Sequence, residues 1–169
     1  MYRLLIFLAV LIAANANIYR VNHRACSYEG NESKKPTGRN FTIDVSGCTN
    51  PDECALVKTT NHDIRYCFEC ARPTSPNITM IVTGILTLFS MDYKRDNEIC
   101  NIAHLSNGTT CASSQGMEAN QLYCLETKFP VYQWFPTIKL QVQFVIKDDI
   151  SNEDIACVIV PVSIVSNAS

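Results

Sequence analysis

Nine cysteines carry most of the reactive chemistry available to this chain of 169 residues. A thiol can ligate zinc, cycle in a redox reaction or close a disulfide, and spacing and compartment separate these roles. Cys67-Phe68-Glu69-Cys70 has the C-x-x-C spacing of a redox or metal motif. A redox pair of that kind belongs beside a βαβ pattern, and structural zinc needs four ligands. No second C-x-x-C is present, so no metal site is expected. His23, His62 and His104 are scattered over different elements and read as surface or partly buried histidines. Asp148-Asp149 has the makings of an acid–base pair. With Ser151-Asn152 close behind, it reads instead as a solvated turn. Serine-hydrolase, zinc-protease and phosphate-loop motifs are missing. These residues predict no enzyme and no cofactor.

The N-terminus decides what the cysteines do. Arg3 precedes an apolar run over residues 4–14, followed by Ala14-Asn15-Ala16. That is the layout of a secretory leader, predicting a signal peptide over 1–16 and one domain over 17–169. The run is too short to cross about 30 Å of hydrocarbon as a helix. Five Asn-x-Ser/Thr sequons, at Asn31, Asn40, Asn77, Asn107 and Asn167, fit a secreted glycoprotein, with Asn167 poorly placed near the chain end. Fourteen basic against sixteen acidic residues give a net charge of −2, which speaks against a nucleic-acid binder. In an oxidising compartment the cysteines are expected to form disulfides. Nine is odd, so at least one thiol is left over or pairs between chains. Cys48 with Cys54 and Cys100 with Cys111 would make short staples. A bond between Cys26 and Cys157 would close a long loop, contributing about 4 kcal/mol or more in the chain-entropy model. Spacing alone does not assign the pairs.

The elements that must position these residues read as strands. Ile138, Leu140, Val142, Phe144 and Ile146 alternate with mostly polar residues, and Val158, Val160, Val162 and Ile164 share one face of the next segment. A polar turn from Asp148 to Asp154 joins the two as a hairpin. Residues 41–45, the alternating Ile64, Tyr66 and Phe68, the apolar run 78–89 with a bend at Gly84, and residues 121–127 supply further strands. About seven strands in one domain predict an all-β sandwich. On this pattern alone the apolar stripes are an ordinary closed core.

Several segments resemble a known family. Phe129-Pro130-Val131, Phe135-Pro136-Thr137-Ile138-Lys139-Leu140 and Lys147-Asp148-Asp149 carry the likeness. So do Cys157, residues 160–166, Val82-Thr83-Gly84-Ile85-Leu86 and the order of six cysteines. Together they are similar to the ML (lipid-recognition) domain family, in particular its Niemann-Pick type C-two-like secreted sterol and lipid binders. The resemblance implies an immunoglobulin-like β-sandwich with a lipid cavity between the sheets and no catalytic residues. It implies the disulfides Cys26–Cys157, Cys48–Cys54 and Cys100–Cys111. Three features depart from the pattern: a longer loop between Cys100 and Cys111, the extra Cys67, Cys70 and Cys124, and Phe144 and Val158 where sterol carriers have Trp. In the resembled fold the strands holding Cys67 and Cys124 are neighbours. If Ile64, Tyr66, Phe68, Tyr123 and Leu125 face inward, those two cysteines face outward together. Cys67–Cys124 is therefore the expected fourth bond, with Cys70–Cys124 the alternative.

The implied lining is Ile64, Tyr66, Val82, Ile138, Leu140 and Val142, continued by Phe144, Val158 and Val160. Tyr93, Val131 and Phe135 would guard the mouth, with Tyr132 and Trp134 facing out as a rim that contacts a membrane or receptor. The implied function is a monomeric carrier of a sterol or similar hydrophobic molecule, secreted or in an endosomal–lysosomal lumen, with a membrane sterol acceptor as partner. The alternative is a lipid-dependent recognition protein that engages a receptor in immunity or chemosensing, with ligands such as fatty acids.

Overall fold

The computed structural model describes residues 18–27 and 35–166. The expected leader and the sequons at Asn31 and Asn167 lie outside that range. Ten strands are present among the described residues: β1 (Ile18–Arg20), β2 (Arg24–Ala25), β3 (Arg39–Ser46), β4 (Cys54–Val57), β5 (Thr60–Glu69), β6 (Ile78–Ile85), β7 (Ser90–Asp96), β8 (Leu122–Val131), β9 (Lys139–Asp148) and β10 (Glu153–Val165). One short helix, α1 (Ile99–Ile102), follows β7.

The strands form two sheets facing each other, as an all-β sandwich requires. One sheet has the order β1-β3-β5-β8. The other runs β2-β10-β9-β6-β7, with β4 added in parallel to the end of β10. The strand count exceeds the expected seven because β1, β2 and β4 are too short to show a period. β7, Ser-Met-Asp-Tyr-Lys-Arg-Asp, is a polar edge strand without apolar alternation. The apolar run 78–89 is also not one bent strand. It stops at Ile85, and the Leu86 N–H donates to the Phe89 carbonyl at 2.9 Å, turning the chain into β7.

The two ends of the sandwich differ. At one end Gly38, leading into β3, donates its N–H to Ile155 of β10 at 2.7 Å. A Cβ at Gly38 would stand 2.6 Å from that carbonyl and 2.8 Å from the Glu69 carbonyl, so only glycine lets the sheets meet so closely. Behind it, Tyr66, Phe68 and Tyr123 are fully buried. The Tyr66 ring packs 5.6 Å from Phe68 and 6.3 Å from Phe144 across the sheets. Large rings fill this half as a closed core. At the opposite end the facing positions are Val82, Gly84, Val142 and Val162, too small to fill the same gap.

Three disulfides join Cys26 to Cys157, Cys67 to Cys124 and Cys100 to Cys111. Cys67 and Cys124 are direct partners in the β5–β8 register. The expected Cys48–Cys54 bond is not formed in the structure. Both side chains are buried thiols, and Cys48 donates to the Asn50 carbonyl at 3.3 Å. Cys70 is a third buried thiol, against Met117 at 3.4 Å.

Candidate functional site

The loosely filled end opens into a cavity of about 710 Å³. Its walls come from both sheets. Val82 and Gly84 of β6, Met91 and Tyr93 of β7, Leu140 and Val142 of β9, and Val162 and Ile164 of β10 form one side. Phe129 and Pro130 of β8 and the loop residues Tyr132, Trp134, Phe135, Pro136 and Ile138 form the other, and Leu56 closes the edge. Alternation explains the lining: inward positions two apart on each strand meet in the gap.

Aromatic side chains shape the mouth. Tyr132 and Trp134 are stacked, with ring centres 5.6 Å apart. Phe135 presents its edge to both, 5.5 Å from Tyr132 and 4.5 Å from Trp134. Tyr93 lies 4.7 Å from Phe129, and its hydroxyl donates to the Pro130 carbonyl at 3.1 Å. Burial, followed by the neighbouring Tyr132 hydroxyl, raises the Tyr93 phenol above its ordinary range, so the donor stays protonated. Two lysines border the cavity on opposite walls, each with its ammonium held by a carboxylate. Lys94 of β7 pairs with Asp96 at 3.1 Å, and Lys128 of β8 pairs with Asp63 at 2.6 Å. Asp92 accepts from the Thr83 hydroxyl at 2.8 Å.

The structure divides the residues expected to line a pocket. Val82, Tyr93, Phe135, Ile138, Leu140 and Val142 line the cavity. Ile64, Phe144 and Val160 lie deeper and border a separate apolar void of about 20 Å³. Leu56, Phe129, Val142 and Val162 border both spaces and form the partition between them. Tyr66, Val158 and Val131 are buried and border neither. Tyr66 and Val158 belong to the closed core, where the aromatic half leaves no gap, and Val131 is buried at the mouth end of β8 opposite Thr60 without bordering the cavity. Val162 and Ile164 could have been added from the sequence, since they continue the face of Val158 and Val160. Leu56, Met91 and the two lysines carry no such signal: β4 is too short for a period, and β7 is polar.

Asn40, Asn77 and Asn107 are all exposed. His62 is buried, with Nδ1 against the Ser46 carbonyl at 2.7 Å and Nε2 accepting from the Val57 N–H at 3.3 Å. It braces the β4–β5 turn and does not border the cavity. Among the described residues no group of histidines, cysteines and carboxylates could hold a metal ion.

The ML domain family model matches residues 20–164. Among solved structures, a Niemann-Pick type C2 protein from the Japanese carpenter ant is similar over 85% of this chain and 99% of its own, with a TM-score of 0.64 and 17% identity. The C-terminal domain of wzt covers 89% of this chain and 80% of its own, with a TM-score of 0.51 and 10% identity. At these identities the likeness is one of fold. No curated protein matches the chain in sequence. The family match spans nearly all of the described sandwich, and this protein belongs to the ML domain family.

Proposed function

We propose that this protein is a non-catalytic, secreted carrier that holds one sterol or similar lipid between its sheets and hands it to an acceptor. Membership of the ML family makes it a lipid-binding protein. The observation that carries the finer reading is the apolar cavity of about 710 Å³, open at one end only of a sandwich otherwise closed by aromatic packing. A ligand burying several hundred Å² of apolar surface would gain on the order of 10 kcal/mol before association costs. The three disulfides support residence in an oxidising compartment, extracellular or endosomal–lysosomal. In this reading residues 1–16 are a cleaved leader, 17–169 are one monomeric lipid-recognition domain, and Asn40, Asn77 and Asn107 carry glycans.

Lys94 and Lys128 favour a second ligand class. A lysine on each wall, on exchanging its Asp96 or Asp63 partner for a ligand, would suit the carboxylate of a fatty acid whose chain fills the apolar interior. A protein so loaded would act in lipid-dependent receptor recognition. The test is mass spectrometry of organic extracts from the natively purified protein, followed by competition between a fluorescent sterol and oleate. A stoichiometric sterol supports the first reading and a fatty acid the second. An empty extract with no binding of either probe overturns both.

A further inference from the structure

We propose that His62 is a proton-operated latch on the cavity: its neutral imidazole holds the β4–β5 turn in place, and the charged ring releases it and loosens a wall that retains the lipid. The proposal rests on the reading of the cavity as a lipid site. β4 belongs to one sheet and β5 to the other. In the turn between them the Lys58 N–H donates to Val165 of β10 at 2.9 Å and the Thr59 N–H to Val131 of β8 at 2.7 Å. The turn therefore straps the two sheets together. Leu56, in the partition of the cavity, immediately precedes Val57, and Phe129, in the opposite wall, pairs with His62 in the β5–β8 register.

Hydrogen bonding fixes the tautomer of the buried ring. The Ser46 carbonyl, 2.7 Å from Nδ1, can only accept, so Nδ1 carries the proton. Nε2 presents its lone pair, which takes the Val57 N–H at 3.3 Å. The Thr60 hydroxyl stands 3.1 Å from the same nitrogen and donates to the Val57 carbonyl at 2.7 Å, which leaves its oxygen able to accept. Nε2 is thus set between a group that can only donate and one that can accept. A proton arriving at this ring has Nε2 as its only place. It turns Nε2 into a donor toward Thr60 and leaves the Val57 N–H facing another N–H. A buried backbone N–H without an acceptor is costly, so β4 must shift to give it one, and Leu56 shifts with it.

The surroundings offer a charged ring a hydrogen bond but no counter-charge. Among the described residues its polar partners are Ser46, Val57 and Thr60, none of them a carboxylate. The acidic groups on the elements around it are engaged elsewhere: Asp63 with Lys128, Asp44 with Arg20, Glu53 with Lys139, Glu126 with Arg65 and Asp52 with Asn22. Lys58, on the turn itself, is a cation, and Cys48 and Cys54 are buried thiols. Residues 158–165 of β10 carry no charge. An uncompensated charge in this position favours opening of the strand that covers it.

Histidine is the side chain whose ordinary charge change lies between about pH 5 and 8, so a latch of this kind responds to the step from a neutral to an acidic lumen. The other two histidines are built differently. His23 and His104 are half-buried, and the Nδ1 of each lies against the carbonyl two residues earlier, at Val21 and Ile102. Neither ring joins two strands, so both serve as controls.

Amide exchange followed by NMR, corrected for its intrinsic pH dependence, tests the latch without lipid. Between about pH 7.5 and about pH 5 the Val57 amide should lose protection by about fivefold, the worth of one backbone hydrogen bond, in step with the titration of the His62 ring. Release of dehydroergosterol in stopped flow should speed up by a similar factor. His62→Gln, neutral throughout, should abolish the acid response, while His23→Gln and His104→Gln should keep it. Thr60→Val removes the acceptor of the charged ring, so its acid response should need a lower pH. That variant and the Val57 amide keep the test open if His62→Gln does not fold. A Val57 amide that stays protected over this range, or acid-accelerated release that survives in His62→Gln, would overturn the proposal. So would an acid response lost in His23→Gln or His104→Gln. Failure of dehydroergosterol to bind at about pH 7.5 would count against the sterol-carrier reading alone, and Val57 exchange would still decide the latch.

Discussion

The hydroxyl of Tyr93 donates to the carbonyl of Pro130 at 3.1 Å, tying the edge strand of one sheet to the edge strand of the other beside the mouth. The cavity thus widens between two sheets that a single side-chain bond holds together at this edge. The Tyr93→Phe variant keeps the ring contacts with Phe129 and Phe135 and loses only the bond. Stability should fall by about 1 kcal/mol, the ordinary worth of a neutral hydrogen bond. Release of a bound fluorescent lipid should speed up by about threefold to tenfold, since affinity changes at one site fall mostly on the off-rate. Stopped-flow displacement measures this, and an unchanged off-rate would show that the mouth is not held at this point.

Leu56 stands in the partition between the cavity and the smaller void. Leu56→Ala should join the two spaces. The cost should be about 2–5 kcal/mol, as for other buried leucine truncations. A bound lipid that fills the added space would recover part of that loss, so the variant's melting temperature should respond to ligand more than the wild type's. Calorimetry with and without lipid decides this.

Asp148 is a buried carboxylate at the closed end. Burial works against its charge, but the backbone N–H and hydroxyl of Ser75 and the N–H groups of Ile150 and Ser151 outweigh burial and hold its carboxyl below the usual range. A folded-state value below the unfolded one contributes stability that is present above the unfolded pKa, about 4 for Asp, and is lost as pH falls through the folded value. Asp148→Asn should therefore be destabilised at neutral pH by about 1–3 kcal/mol. The gap to the wild type should close at strongly acidic pH, below the carboxylate range. Urea midpoints at neutral pH and at strongly acidic pH, about 2, would measure it, and a pH-independent gap would contradict the assignment.

The thiols give a count. Burial, with the charge of Glu69 adding to it, pushes the Cys70 thiol up to about 12, and burial likewise raises Cys54. Thiolate is the reactive form, so Cys54 and Cys70 should not react with iodoacetamide until the protein unfolds, and enclosure in the core keeps the reagent from Cys48. Protein made in a reducing environment and protected during unfolding should show Cys48 and Cys54 as thiols. After passage through an oxidising lumen that neighbouring pair should close, leaving Cys70 alone. Alkylation under denaturing, non-reducing conditions with peptide mapping reads the number. Three thiols in the secreted protein would mean that the pair resists oxidation.

Much of the fold was legible in local pattern. Alternation of Ile138 to Ile146 and of Val158 to Ile164 marked the central hairpin, while the Cys67–Cys124 pair followed only once the family resemblance made their strands neighbours. The edge strand β7 was not legible, because a strand held by one neighbour at a solvated edge needs no apolar period. The run 78–89 misled for a related reason. Leu88 and Phe89 are apolar, yet they sit on a turn, and composition does not distinguish a buried run from an exposed tip.

Residues close in the chain and a two-residue period specify the sandwich, its inward faces and a turn between β9 and β10, but not the burial of Asp148, which the local sequence marks as solvated and the fold encloses. Which inward residues border open space was decided only by the tertiary structure. Phe144 and Val142 are neighbours on one face of one strand, yet Phe144 packs near Tyr66 while Val142 borders the cavity. Whether a gap is filled depends on the summed volume of side chains arriving from both sheets, and no single strand carries that sum.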